Sequence, residues 1–325
     1  MTETAVAALT PDVFDEAYRR VAPLVHRTPL LHSTLLSLET GYDVWLKAEI
    51  FQRTGSYKVR GPSNKLPQLS PLEQRTGVIC SSAGNHAQGV AYAAARLGIP
   101  ATVVMANNAT PAKIAATKSY GANVVLHGEI WDEANAEAMR IKEEMGLAFI
   151  HPFDDLQLIA GQGTVGLEII EDAPDVETVI VPIGGGGLIS GITAAIKGRN
   201  PDVRVVGVES AGAPAMTQSV ERGEIVTLDE VQCSIDGLKV MRVGVNTFAI
   251  VSELVDELVT IDDERIYDAV LWTMSRCKLV VEGAAAASVA ALLEGRVEAE
   301  PGSKVVCVLS GGNVDLEQLR GRVLN

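Results

Sequence analysis

Four short segments of this 325-residue chain hold residues able to do chemistry, and three of them follow a β-branched run and precede a helical pattern. The first is Ser81-Ser82-Ala83-Gly84-Asn85-His86, after Val78-Ile79-Cys80. A loop so placed aims backbone N–H groups and a helix N-terminus at an anion such as a carboxylate. Its plainer reading is a tight turn with Asn85 as cap. The second is Gly184-Gly185-Gly186-Gly187-Leu188. Without a Cβ, backbone amides can approach a phosphate closely, and four glycines in a row carry an entropic cost that turn chemistry alone does not explain. No Gly-Lys-Ser/Thr follows and no G-x-G-x-x-G register fits, so the loop is neither a Walker loop nor a standard dinucleotide fingerprint. Glu209 lies at the end of the next strand, where a dinucleotide fold places its ribose acid, which keeps a nicotinamide or flavin enzyme open. The third is Ser310-Gly311-Gly312-Asn313, where Ser310 offers either a neutral hydroxyl to a ligand or a cap to a helix beginning near Val314. The fourth is Thr54-Gly55-Ser56-Tyr57-Lys58-Val59-Arg60-Gly61, whose lone lysine, by itself, reads as a solvated charge. His86 and His151 are too isolated for a metal site, and no G-x-S-x-G elbow supports a hydrolase.

The elements that must position these loops alternate from Val78 onward. Short apolar runs at 78–80, 101–105, 123–126, 148–151, 178–183, 203–208 and 304–309 read as buried parallel strands separated by Ala-rich helices. Thr110 followed by Pro111 is a helix start, with cap and first-turn proline in place. Two such series, roughly 78–150 and 178–325, predict two α/β lobes with a cleft at the strand C-termini, where such folds bind ligands. Residues 178–196 are uncharged and near the length of a membrane span, but Pro182 and the glycine run break the stretch, so it reads as strand, loop and helix.

Composition sets the outer bounds. A hydrophobic content of 47% against 21% charged residues places the chain among folded globular proteins. Lys and Arg number 27 against 41 Asp and Glu, a formal charge of −14 that repels a nucleic-acid backbone. Cys80, Cys233, Cys277 and Cys307 show no zinc spacing and read as reduced, mostly buried thiols. The acidic start lacks the layout of a signal peptide, and the expected location is cytoplasmic.

Taken together, the segments resemble the fold-type II pyridoxal-phosphate enzymes, and within them the threonine/serine ammonia-lyase and serine racemase branch. Five motifs carry the resemblance in family order: Gly55 to Gly61, Ser82 to Gly89, Ala160-Gly161-Gln162-Gly163-Thr164, the tetraglycine loop, and Leu309 to Asn313. The resemblance implies a two-lobed α/β fold like that of the tryptophan synthase β chain, with parallel-rich sheets flanked by helices. Residues 1–73 and 151–325 would form the large cofactor-binding domain and 74–150 the small one. Lys58 would form the internal Schiff base and take the substrate's Cα proton, with burial lowering its pKa toward neutrality. Gly184, Gly185, Gly186, Gly187 and Leu188 would hold the cofactor phosphate, Asn85 the ring hydroxyl, and Ser310 the pyridine nitrogen, with Tyr57 packed near the ring. Ser82, Ala83, Gly84, Asn85 and His86 would receive the substrate carboxylate. A hydroxyl at the ring nitrogen does not favour its protonation, which suits β-elimination over transamination. The implied products are 2-oxobutyrate from L-threonine, or pyruvate from L-serine, with ammonia.

Departures from the family pattern refine this expectation. Racemases of this branch carry a serine immediately before Gly84-Asn85-His86, where this chain has Ala83, and a methyl group cannot shuttle a proton. Cation-binding members use a glutamate at Glu209, a carbonyl at Ala213 and an acid at the position of Ala215, so one carboxylate is missing and only a weak or monovalent site is expected. No regulatory domain is expected after the last motif, as in catabolic members, and a homodimer or homotetramer is expected, with neither nucleic acid nor membrane as partner. The pocket for the β-substituent would draw on Trp131 to Asn135 and on residues near Phe153. A racemase, a dehydratase for another 3-hydroxy amino acid, a β-replacement enzyme, and a non-catalytic binding protein on the same scaffold are the rival readings.

Overall fold

The computed structural model describes residues 4–314 and 319. Among these, ten strands form two sheets: β1 (Leu30–His32), β2 (Asp43–Ala48), β3 (Val78–Ser81), β4 (Ala101–Met105), β5 (Asn123–Leu126), β6 (Ala148–Phe149), β7 (Thr178–Pro182), β8 (Arg204–Ser210), β9 (Glu257–Ile261) and β10 (Lys304–Leu309). The larger sheet runs β1-β2-β10-β7-β8-β9 and is parallel except where β1 meets β2. The smaller, β5-β4-β3-β6, is parallel throughout. Every residue of β3 and β7 is buried, as is β10 after Lys304, which is why these strands read as continuous apolar runs.

Helices connect the strands much as the pattern predicts. Thr110 Oγ1 accepts from Lys113 N and Pro111 opens the helix Pro111–Ser119. The uncharged stretch after Glu177 becomes β7, a loop and the helix Gly187–Lys197, and no helix of the described residues is long and apolar enough to cross a membrane. That helix packs closely on Leu156–Asp172. A Cβ on Gly163 would fall 2.6 Å from the Gly191 carbonyl oxygen, so glycine alone allows this backbone approach. Each sheet has its own core, and Leu156–Asp172 serves both, with Leu158 in the smaller core and Val165 and Ile169 in the larger.

Three strands escape the sequence pattern: β1, β2 and β9. In β2 the cause is Lys47, fully buried and bonded through Nζ to Glu168 Oε2 and to the Thr28 carbonyl, both at 2.7 Å. The helix Asp263–Trp272 runs on into a π-helical turn, Thr273–Cys277. The expected helix near Val314 falls outside the described residues. All four cysteines are unpaired, and three are buried.

Candidate active site

The loops marked out in the sequence lie at the C-terminal ends of strands: Ser82–His86 after β3, the tetraglycine after β7, and Ser310–Asn313 after β10. Lys58 stands on a one-turn 3-10 helix, Tyr57–Val59, tied to the end of β10 by a bond from Tyr57 N to the Ser310 carbonyl at 3.0 Å. The helix Asn85–Leu97 presses on the same turn, since a Cβ on Gly89 would lie 2.6 Å from the Lys58 carbonyl oxygen. Lys58 Nζ donates to the Pro152 carbonyl at 2.9 Å and lies 5.3 Å from the Tyr57 ring centre. Burial pushes its pKa down to about 8, against a smaller pull upward from Glu282.

The turn is held from behind by charges. Arg60 is fully buried and bonds both Glu49 and Glu168 at 2.7–2.8 Å, while Lys47 shares Glu168. Two cations face two carboxylates, so the cluster is neutral, as a dry interior demands. Burial raises the Glu49 pKa, but the Arg60 charge and hydrogen bonds outweigh it and hold the carboxyl below its ordinary value.

The tetraglycine loop is a cradle that side chains would fill. A Cβ on Gly184 would meet the Gly237 carbonyl oxygen at 2.4 Å, one on Gly185 the Phe153 ring at 2.3 Å, and one on Gly187 the Gln162 Oε1 at 2.8 Å. Gly186 has φ +90°, a backbone conformation that side-chain-bearing residues rarely adopt. The first N–H groups of Gly187–Lys197, including Leu188, open at this loop without intrahelical acceptors. Beside it, Gln162 is fully buried with both amide atoms unpartnered among the described residues. Amides without partners beside a glycine cradle and a helix N-terminus fit a phosphate, and the residues present therefore fit pyridoxal phosphate.

At the other loop, Gly84 N donates to Ser82 Oγ at 3.2 Å, and no side chain caps Asn85–Leu97, so the Asn85 and His86 N–H groups point out of its first turn. His86 Nε2 lies 2.9 Å from the Ile150 carbonyl, which can only accept, so Nε2 carries the proton and Nδ1 is a buried lone pair without a partner. Burial, with Lys58 adding to it, pushes this imidazole down to about 3. Its backbone N–H, not its ring, is the donor available to an anion. Trp131 Nε1 donates to the Ser81 carbonyl at 3.2 Å, which brings the 131–135 segment to this loop.

Two acids complete the neighbourhood. Glu282, which the motifs did not mark, is half-buried and bonded by Asn85 Nδ2 at 2.8 and 3.0 Å. An isolated carboxylate between Val280-Val281 and an alanine run was the available signal. Glu209 accepts from Met216 N and Thr217 N at 2.8 Å and from Thr217 Oγ1 at 2.7 Å, closing the start of the helix Ala215–Arg222. Ala213 and Ala215 are buried beside it, and no group of three or more His, Cys, Asp or Glu is set to hold a metal among the described residues.

Residues 21–311 match the family described as pyridoxal-phosphate dependent enzyme, and the chain belongs to that family. It is 48% identical over 317 residues to an L-threonine ammonia-lyase of Thermotoga maritima, covering 98% of this chain and 78% of that one. It is 46% identical over 305 residues to the catabolic L-threonine dehydratase TdcB of Escherichia coli, covering 94% and 93%. Among solved structures, maize serine racemase superposes with a TM-score of 0.92 at 38% identity, covering 97% of each chain.

Proposed function

We propose that this protein is an ammonia-lyase that eliminates water from L-threonine, and from L-serine, to give 2-oxobutyrate or pyruvate with ammonia. The observation that carries the reading is Lys58, its amine pushed toward neutrality and held at the Pro152 carbonyl between the Ser310, Asn85 and tetraglycine loops. Bound there, pyridoxal phosphate supplies an electron-withdrawing ring that acidifies the substrate's Cα–H. The residues do the rest. The Gly184–Leu188 cradle and Gln162 would hold the phosphate, Tyr57 would pack beside the ring, and Ser310 would offer the ring nitrogen a neutral hydroxyl. The Ser82–His86 loop takes the substrate carboxylate on backbone N–H groups. Lys58 removes the Cα proton, for which an amine near pKa 8 is suited where an ordinary lysine is not.

Ala83 supports elimination over racemisation, because no side-chain proton donor stands at that position, and the neighbouring Ser82 hydroxyl is turned back to Gly84 N. Names of the similar proteins support threonine as substrate. The same proposal includes a small domain over 74–150, a cytoplasmic location and assembly as a homodimer or homotetramer. It assigns Glu209 to helix capping, with any cation at Glu209 and Ala213 weakly held.

The test is the absorption of the purified protein before and after L-threonine, with 2-oxobutyrate assayed alongside. A visible cofactor band that responds to threonine, with oxo acid formed by the Lys58 protein and not by Lys58→Ala, is the expected result. A band without oxo acid from threonine or serine leaves the cofactor site standing and removes the substrate. Deuterium at Cα of recovered, inverted serine would instead favour the racemase.

A further inference from the structure

Glu282 stands at the N-cap position of the helix Gly283–Leu293, yet its side chain makes no cap bond. It faces Asn85 instead, whose Nδ2 donates to both carboxylate oxygens. On the far side of that amide, Asn85 Oδ1 accepts from Asn313 Nδ2 at 2.8 Å, and Asn313 Nδ2 also donates to the Thr54 carbonyl at 2.8 Å. The chain of bonds ends at both sides in groups that only accept, a backbone carbonyl and an ionised carboxylate. Its direction is therefore fixed: Asn313 turns nitrogen toward Thr54 and Asn85, and Asn85 turns oxygen toward Asn313 and nitrogen toward Glu282. One Asn85 N–H can serve both carboxylate oxygens, which leaves the second free. The backbone packs the carboxylate in place, since a Cβ on Gly311 would lie 2.5 Å from Glu282 Oε1 and Glu282 N donates to the Gly311 carbonyl at 3.1 Å.

We propose that Glu282 is a positioning residue for the cofactor: with Asn313, it locks the Asn85 amide so that an N–H, not a carbonyl oxygen, is offered to the hydroxyl oxygen of the ring. The inference rests on the reading of Asn85 as a residue that holds the ring. Ionised Glu282 enforces this orientation, whereas its protonated form can donate and tolerates the flipped amide. Burial raises its pKa to about 7, with the Asn85 bond opposing. The charged and titratable groups that act with it are Lys58 and Tyr57 on the adjoining turn, Asp236 in the 223–244 segment, and Lys113 on the helix Pro111–Ser119.

The experiment is a double-mutant cycle on full-length, cofactor-free protein titrated with pyridoxal phosphate, using Asn85→Ala, Glu282→Ala and the pair. Each single change is expected to weaken binding on the order of ten-fold, and the pair no more than Asn85→Ala alone, because Glu282 acts through Asn85. Additive effects, or none from Glu282→Ala, overturn the positioning role and leave Asn85 in the site. No effect from Asn85→Ala overturns the placement of Asn85 and the inference with it. Glu282→Gln is the second variant, used also if Glu282→Ala does not fold. The wild type should bind the cofactor more tightly as pH rises through about 7, and Glu282→Gln should lose that inflection while keeping the one that belongs to Lys58. An inflection unchanged in Glu282→Gln also overturns the proposal.

Discussion

At the scale of single residues, environment decides what each group does. Lys47 is fully buried and Lys58 half-buried, but Lys47 is paired with Glu168 while Lys58 bonds a carbonyl beside the Tyr57 ring, and desolvation lowers the Lys58 pKa to about 8. An amine must be neutral to capture an aldehyde. Stopped-flow mixing of cofactor-free protein with pyridoxal phosphate should therefore show a rate that rises with pH and levels off just above 8, some two units below an exposed lysine. Gly185 makes a second residue-scale prediction. Its Cβ would enter the Phe153 ring, so Gly185→Ala should weaken cofactor binding at least ten-fold by equilibrium dialysis and destabilise the fold by about 1–3 kcal/mol through overpacking. Glu209 gives a third. Burial raises its pKa from 4.5 to about 7 despite its bonds to Thr217 and Met216. Between those values the folded chain holds a proton that the unfolded chain has lost, so this contribution to stability is present below pH 4.5 and fades as pH rises through 7. Denaturant midpoints of Glu209→Gln should decline less across that window than those of the wild type.

At the scale of elements, the turn that carries Lys58 is as rigid as the cluster behind it. Arg60→Leu leaves Glu49 and Glu168 buried with Lys47 as their remaining cation, and should cost about 3–5 kcal/mol in denaturant titration. That cluster also explains what the sequence hides. Strands β3, β7 and β10 are legible because their residues are apolar and buried on both faces, while β4 and β5, only partly buried, are legible from their paired valines. Strand β2 is not, because Lys47 lies inside it and Glu49 directly follows, and charges read as solvent-facing until their partner from a distant helix is known. The site divides in the same way. Its glycines and its lysine are legible because few other roles explain them so well. Glu282 is not, because a carboxylate ahead of an alanine-rich helix reads as a cap, and its actual partner is 197 positions away.

At the scale of the whole molecule, two sheets with separate cores meet around one site. Lys113 and Asp236 form an ion pair at 2.7 Å across that meeting, but Asp236 is mostly exposed, and such pairs contribute only about 0–1 kcal/mol. A ligand that touches loops from both sheets is the stronger tie. Calorimetric melting temperatures of cofactor-free protein should climb with added pyridoxal phosphate, the gain reaching about 2.7 kcal/mol at a hundred times the dissociation constant. Lys58→Ala should shift little over the same range.

The strand order also has a consequence for how the protein is made. In the larger sheet β10 lies between β2 and β7, pairing Lys304 with Asp43 at one edge and Val305 with Thr178 at the other. As the chain emerges from the ribosome, β2 and β7 must wait, each with one unpaired edge, until Lys304–Leu309 has been synthesised. The smaller sheet, whose strands all lie between Val78 and Phe149, can close long before. A nascent chain arrested short of Lys304 is therefore half-assembled, and its open strands are the ones a chaperone must shield from neighbouring chains.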